Sequence, residues 1–186
     1  MDKKRCTWCL KDKVYMDYHD NVWGVPEFDD ARLFEFINLE GAQAGLSWYS
    51  ILVRKEGYKN AFANWDAEQI ARFNDKDIKR LLNDPGIIRN KLKVNATIVN
   101  AKAFLEIQSK EGFSNYLWDF VGGKPIINNW TAHSEIPATT ELSQTISKDL
   151  KSRGFKFVGP TIVYAFMQAV GIVDDHVLSC WKRTEP

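Results

Sequence analysis

Cysteine is scarce in this chain. Cys6, Cys9 and Cys180 are the only three in 186 residues, too few for the disulfide framework of a small secreted scaffold. Proline is nearly as sparse, at six, and no Pro-, Gly- or Ser-rich tract marks a linker, so one domain spanning 1–186 is expected. No run of about 18 apolar residues is present to cross a bilayer. The start, Met-Asp-Lys-Lys-Arg, leads into nothing like a signal peptide. A cytoplasmic protein with no membrane partner is therefore expected. Neither sign of charge is in excess: 25 Lys and Arg against 24 Asp and Glu give a net charge of +1. No global field draws the chain to nucleic acid, and any such contact must be local. Strand-like alternation is almost missing, and no segment repeats.

Aromatic residues, by contrast, are plentiful, with seven Trp, six Tyr and eleven Phe, types that serve cores and base-stacking pockets alike. Helical periodicity recurs and predicts an all-α bundle. Leu92, Ala96, Val99, Ala103 and Ile107 fall on one helical face. Thr140 reads as the N-cap of a helix carrying Leu142, Ile146 and Leu150 and ending near Gly154. Another helix is expected from about Pro160 to Val170. The stretch Gly122 to Pro137, rich in Gly, Pro, Asn and Thr, reads as a long surface loop packed by Trp130.

The segment from Tyr15 to Trp48 carries the strongest chemical signal. If Asp29 and Asp30 start a helix, Leu33, Phe36, Ile37, Glu40 and Ala44 form one apolar stripe with a carboxylate in it. A buried carboxylate costs several kcal/mol unless paired, on the order of what a fold can spare. No Lys or Arg occupies the neighbouring turns, so a distant partner or a ligand must satisfy Glu40. Tyr15, Tyr18, His19, Trp23 and Trp48 surround it in sequence, a composition suited to a flat, electron-poor ring.

Two further clusters stand out. His176 and Cys180 are four apart and, if helical, share a face; Cys6 and His19 supply a second pair at the other end of the chain. A Cys2His2 set suits tetrahedral zinc, and four side-chain ligands make such a site structural. The bland alternative is a capping histidine and a buried free thiol, with His133 and Cys9 as rival ligands. Lys151, Arg153 and Lys156 crowd ahead of Phe157-Val158-Gly159-Pro160-Thr161, between two predicted helices. Amides opening the second helix suit a phosphate there, and Gly159 permits close backbone approach. An ordinary helix–turn–helix with solvated lysines has the same composition.

Several stretches together resemble the bacterial 3-methyladenine DNA glycosylase I family. They are Arg5-Cys6-Thr7-Trp8, Tyr18-His19-Asp20-Asn21 with Trp23-Gly24, Leu39-Glu40-Gly41 with Ala44-Gly45-Leu46-Ser47-Trp48, Gly86-Ile87-Ile88-Arg89, and Gly154 to Gly159 continuing through His176. One departure is Val22, where many relatives carry Glu. The resemblance implies a compact helix-hairpin-helix glycosylase fold with a structural zinc joining the termini through Cys6, His19, His176 and Cys180. It implies that Glu40 and Tyr18 recognise the excised base, that Trp48 stacks on it, and that Trp8, Tyr15 and Trp23 complete the pocket. Lys156, Gly159 and Thr161 would face the DNA.

The implied reaction is release of 3-methyladenine from alkylated double-stranded DNA by a monomer. Bifunctional members of the wider class carry Lys two residues after the hairpin glycine, where this chain has Thr161, so no strand cleavage is expected. Asp174 matches the wider class's catalytic Asp and is read here as the cap of a helix presenting His176 and Cys180. The competing readings are a zinc-stabilised helical DNA-binding module without chemistry and a zinc hydrolase. The hydrolase would need an open coordination position.

Overall fold

Asp29 and Asp30 open the central helix in two different ways. Asp29 accepts from the Arg32 amide at 2.9 Å and caps α2 (Asp30–Gln43). Asp30, one residue on, reaches across the molecule to the amides of Phe113 and Ser114, at 3.0 and 2.7 Å. It thereby caps α8 (Phe113–Asp119), whose own N-cap, Gly112, has no side chain to offer. One acidic pair thus fixes two helices against each other.

The computed structural model describes residues 3–184, leaving Met1 and Asp2 of the charged start outside it. In chain order its helices are α1 (Lys13–Asn21), α2, α3 (Trp48–Leu52), α4 (Lys55–Ala61), α5 (Ala67–Ala71), α6 (Asp75–Asn83), α7 (Lys91–Gln108), α8 (Phe113–Asp119), α9 (Glu141–Ser152) and α10 (Pro160–Ala169). The fold is mostly helical. No helix among the described residues is long and apolar enough to cross a membrane.

α2 lies at the centre, packed by α3, α7, α8 and α10. Its surroundings bury every residue from Leu33 to Ala42, so the expected single stripe is too narrow, and Ala44 is the C-cap. Lys93 closes the C-terminal end of α2, donating to the carbonyls of Ala42 and Ala44 at 2.8 and 2.7 Å, where a cation complements the helix dipole.

The face expected on α7 holds in part. Ala96, Ala103 and Ile107 are buried as expected, whereas Leu92 and Val99 are exposed, and Val94, Ile98, Ala101 and Phe104 are buried as well. α7 packs against α2, α5, α6 and α8, so it buries more than one face, and a single stripe drawn through its many apolar residues catches only part of them. α9 is as expected: Thr140 and Ser143 cap each other reciprocally at 3.1 and 2.9 Å, and Gly154 ends the helix region with φ of +98°.

The Gly122–Pro137 stretch is not structureless. Its β1 (Ile126–Ile127) pairs in parallel with β2 (Val173–Asp174), Ile126 opposite Val173. The chain after α10 is therefore extended and then turning, and His176 and Cys180 lie on no helix, contrary to expectation. Asp174 consequently caps no helix. Its carboxylate accepts the amides of His176 and Thr184 at 3.0 and 2.9 Å, bracing the terminal turn.

The two ends of the chain meet through backbone contacts. Gly24 and Glu27 donate to the carbonyls of Gln168 and Val170 at 3.0 and 3.1 Å, and Trp181 donates to Lys4 at 2.8 Å. Gly171, at φ +69°, is obligatory in this seam, since a Cβ would fall 2.4 Å from the Pro26 nitrogen.

Candidate active site and metal cluster

α1, α2 and the start of α3 converge on one cavity of about 270 Å³. It is lined by Trp8, Tyr15, Tyr18, Trp23, Glu40 and Trp48, the six pocket residues singled out in the sequence, and also by Gln43, His133, Ala165 and Gln168. The rings brace one another. Trp8 stands edge-on to Tyr15 and Trp23 with centroids 5.1 and 5.0 Å apart, and Tyr18 leans on Trp48 at 5.4 Å. A bicyclic planar ring fits a space of this size and lining.

Polar groups in the wall lack partners. The Trp48 indole N–H is buried and finds no partner among the described residues. Glu40 is 3% exposed, and no described residue hydrogen-bonds to its carboxylate or forms an ion pair with it. Burial alone pushes its carboxyl up to about 8. Burial and then the Glu40 charge also raise Tyr18 well above its ordinary range. Buried groups left unpaired by their own protein are expected to meet something else.

A second cluster lies directly behind the Trp23 wall. The ligand atoms of Cys6, His19, His176 and Cys180 all lie within 4.8 Å of one another, and all four residues are buried. Sulfur-to-nitrogen distances are 3.6 Å for Cys6 and His176, 3.4 Å for Cys180 and His19, and 3.4 Å for Cys180 and His176. Two thiolates and two imidazoles on tetrahedral zinc make S···N edges of about 3.6 Å. The donor set and its spacing therefore fit.

The imidazoles are oriented from outside. His19 Nδ1 donates to Asp20 at 2.9 Å, and Asp20 is itself held by Arg5 at 2.8 to 3.1 Å. This leaves His19 Nε2 without a proton, facing the cluster and accepting the Cys6 amide at 3.4 Å. Arg5, and His19 after it, hold the Asp20 carboxyl well below the usual carboxylate range. His176 Nε2 donates to the Trp23 carbonyl at 3.3 Å, leaving Nδ1 bare. Such outer partners fix which nitrogen binds. A hydrogen bond from the Cys6 thiol pulls the Cys180 thiol down toward the thiolate a metal needs. The rival ligands fall away: Cys9 turns its thiol to the Cys6 carbonyl at 3.1 Å, and His133 lines the aromatic cavity.

The turn between α9 and α10 forms the third feature. Asn100 clamps it, accepting the Lys156 amide at 2.7 Å and donating to the Lys156 carbonyl at 3.1 Å. Ser147 donates to the Val158 carbonyl at 2.6 Å. Phe157 adopts φ of +55°, unusual for a residue with a Cβ. Gly159 has an ordinary φ of −63° and open space around its Cβ direction, so nothing among the described residues demands glycine there. No side chain caps α10, and Lys156 and Thr161 are exposed beside its N-terminus. The expected basic patch is smaller than its sequence, because Arg153 is paired with Asp149 at 2.7 Å and Glu111 at 3.3 Å.

Comparison with known proteins decides what this combination belongs to. Residues 8–183 match the methyladenine glycosylase family. The chain belongs to that family. It is 49% identical to the DNA-3-methyladenine glycosylase 1 of Escherichia coli K12, covering 95% of each chain. It is 46% identical to the DNA-3-methyladenine glycosylase of Haemophilus influenzae, covering 97% of this chain and 98% of that one. A crystal structure of 3-methyladenine DNA glycosylase I superposes with a TM-score of 0.95 at 47% identity, over 97% of this chain and all of the other. A Tyr-to-Phe variant of such an enzyme, solved in complex with 3-methyladenine, superposes at 0.94 with 37% identity, over 97% of this chain and 98% of that one.

Sequence reading missed Gln43, His133, Ala165 and Gln168. Gln43 sits one turn beyond Glu40 on α2 and was within reach of the periodicity argument. The other three come from distant segments and left no local signal.

Proposed function

We propose that this glycosylase excises 3-methyladenine from alkylated double-stranded DNA by flipping the damaged nucleotide into the aromatic cavity and hydrolysing its glycosidic bond. The unpaired, buried Glu40 carboxylate in that cavity is the observation that carries the reading. Methylation at N3 places a positive charge on the adenine. Electron-rich rings attract a cationic base by about 0.5 to 2 kcal/mol beyond stacking, and Glu40 accepts a charge-assisted hydrogen bond from its edge. Tyr18 and Trp48 lie against the base, with the unpaired Trp48 indole N–H as a further donor. Trp8, Tyr15 and Trp23 close the walls. Neutral adenine gains less from each contact, so the flipping cost of a few kcal/mol is best offset for the lesion.

Breaking the bond between C1′ and N9 leaves its electron pair on the purine, which departs as a neutral molecule. Water adds to C1′, and one proton goes to solvent. A leaving group that is already cationic needs little acid catalysis.

Cys6, His19, His176 and Cys180 would hold one zinc, whose chemistry is structural: it fastens the two ends of the chain behind Trp23. Four side-chain ligands leave no position for a catalytic water, which disfavours a zinc hydrolase. The α9–turn–α10 unit serves as the helix-hairpin-helix element, with Lys156, Gly159, Thr161 and the α10 N-terminus facing backbone phosphate. The protein acts as a monomer. Incubating it with methylated DNA and chromatographing the soluble bases tests the whole reading. Free 3-methyladenine is expected, whereas DNA retention with no released base would make the chain a binding module.

A further inference from the structure

The cavity that holds the base does not end at its aromatic wall. A second depression of about 220 Å³, lined by Ile136, Pro137, Ala138, Thr161 and Tyr164, shares His133, Ala165 and Gln168 with it. Together they form a cleft from the base pocket to the start of α10. If the base occupies the first part, the deoxyribose lies at the junction, where Gln168 stands. This rests on the glycosylase reading.

Gln168 is held by an unusual partner. Asp175 is fully buried, no described residue forms an ion pair with it, and its carboxylate takes four neutral hydrogen bonds. Oδ1 accepts from Asn128 Nδ2 and Trp130 Nε1, each at 2.7 Å. Oδ2 accepts from the Tyr164 hydroxyl at 2.7 Å and from Gln168 Nε2 at 2.8 Å. Such full satisfaction fixes each donor in place. With its nitrogen committed to Asp175, the planar Gln168 amide directs Oε1 away from that carboxylate, and no described residue donates to Oε1. An oriented, unpaired acceptor thus stands at the junction. His133 shares the position but is exposed on a short turn, without a buried partner to aim it.

We propose that Gln168 is a catalytic residue whose Oε1 accepts a hydrogen bond from the attacking water at C1′, and that Asp175 is the positioning residue that aims it. A carbonyl dipole with its negative end toward C1′ also favours the positive charge that develops on the sugar as the bond to the base breaks. Gln168 holds the water while its oxygen bonds to C1′ and the glycosidic electron pair leaves with the purine. The proton is released to solvent, so the amide is unchanged.

The decisive variants are Gln168→Leu and Gln168→Met, which keep volume and remove the acceptor. Each is compared with the parent for the single-turnover rate of 3-methyladenine release from methylated DNA and for affinity toward the free base. The rate should fall at least tenfold while base affinity stays within twofold. Asp175→Asn, checked for unchanged zinc content, should show the same split. An unchanged rate in the Gln168 variants would overturn the proposal. So would parallel losses of rate and base affinity, which would make Gln168 part of the base-binding wall. A parent that releases no base would instead sink the glycosylase reading itself.

Discussion

Trp23 and His176 stand edge to face, ring centroids 4.6 Å apart at 85°, and the Trp23 carbonyl accepts the His176 Nε2 proton at 3.3 Å. One wall of the aromatic cavity is therefore the near side of the proposed metal site. Cys180→Ser should lower zinc content, reduce the melting temperature by several degrees and weaken base affinity a few-fold through Trp23. Metal analysis beside calorimetry checks this. Full zinc retention with unchanged melting would remove Cys180 from the site.

Gly24 lies in the same seam. It adopts φ of +77°, and a Cβ there would come within 2.9 Å of His176 Nε2. Gly24→Ala should cost about 1 to 3 kcal/mol through strain and lower zinc affinity by displacing the imidazole. Parent-like chelator resistance in a folded variant would show that the histidine has room to move.

Base affinity should depend on Glu40 and Trp48 for different reasons. Trp48→Ala removes a stacking face worth roughly 1 to 3 kcal/mol. Glu40→Gln replaces an acid that can ionise opposite the base by a neutral amide of the same shape, and should weaken binding of free 3-methyladenine without unfolding the protein. Unchanged affinity in both variants would put the base elsewhere.

The Glu40 carboxyl, raised by burial from an ordinary 4.5 to about 8, also makes stability depend on pH. The folded state keeps a proton that the unfolded chain gives up, so stability is full below 4.5 and declines as pH rises to about 8. The slope is at most about 1.4 kcal/mol per pH unit, and the curve is level above that window. Glu40→Gln should therefore melt above the parent at alkaline pH and gain little at acid pH. An equal gain at both would mean the folded protein does not hold that proton.

Thr161 offers no amine, so borohydride should trap no covalent adduct with DNA, and the abasic strand should remain intact. Asp174 serves backbone amides, so a zinc-replete Asp174→Asn variant should keep its excision rate within tenfold. A trapped adduct would contradict the first expectation, and a hundredfold loss of rate the second.

Residues that signal locally were readable before any coordinates. Glu40 declared itself by sitting on an apolar 3.6-residue period, and Thr140 by its position ahead of one. His176 and Cys180 were rightly paired for a wrong reason, since a non-helical turn brings them together as well as a helix would. α7 misled because small and apolar residues cover several of its faces, and only its neighbours decide which are buried. The role of Asp175 was unreadable: its four donors come from 128, 130, 164 and 168, and no spacing announces that they converge. Gln168, near the end of α10, carries no local sign that its partner is Asp175.

The contact between Gly41 and Phe157 carries a mechanical consequence. A Cβ on Gly41 would sit 3.3 Å from both the Phe157 Cβ and its carbonyl, so the turn proposed to face phosphate packs against α2 one residue from Glu40. On the proposed reading, the distance from phosphate grip to base pocket is then set by a direct packing contact. The duplex must supply the deformation that brings a nucleotide into reach, at a cost set by how firmly that nucleotide is stacked. Damage that loosens a base is thereby favoured before any bond is broken.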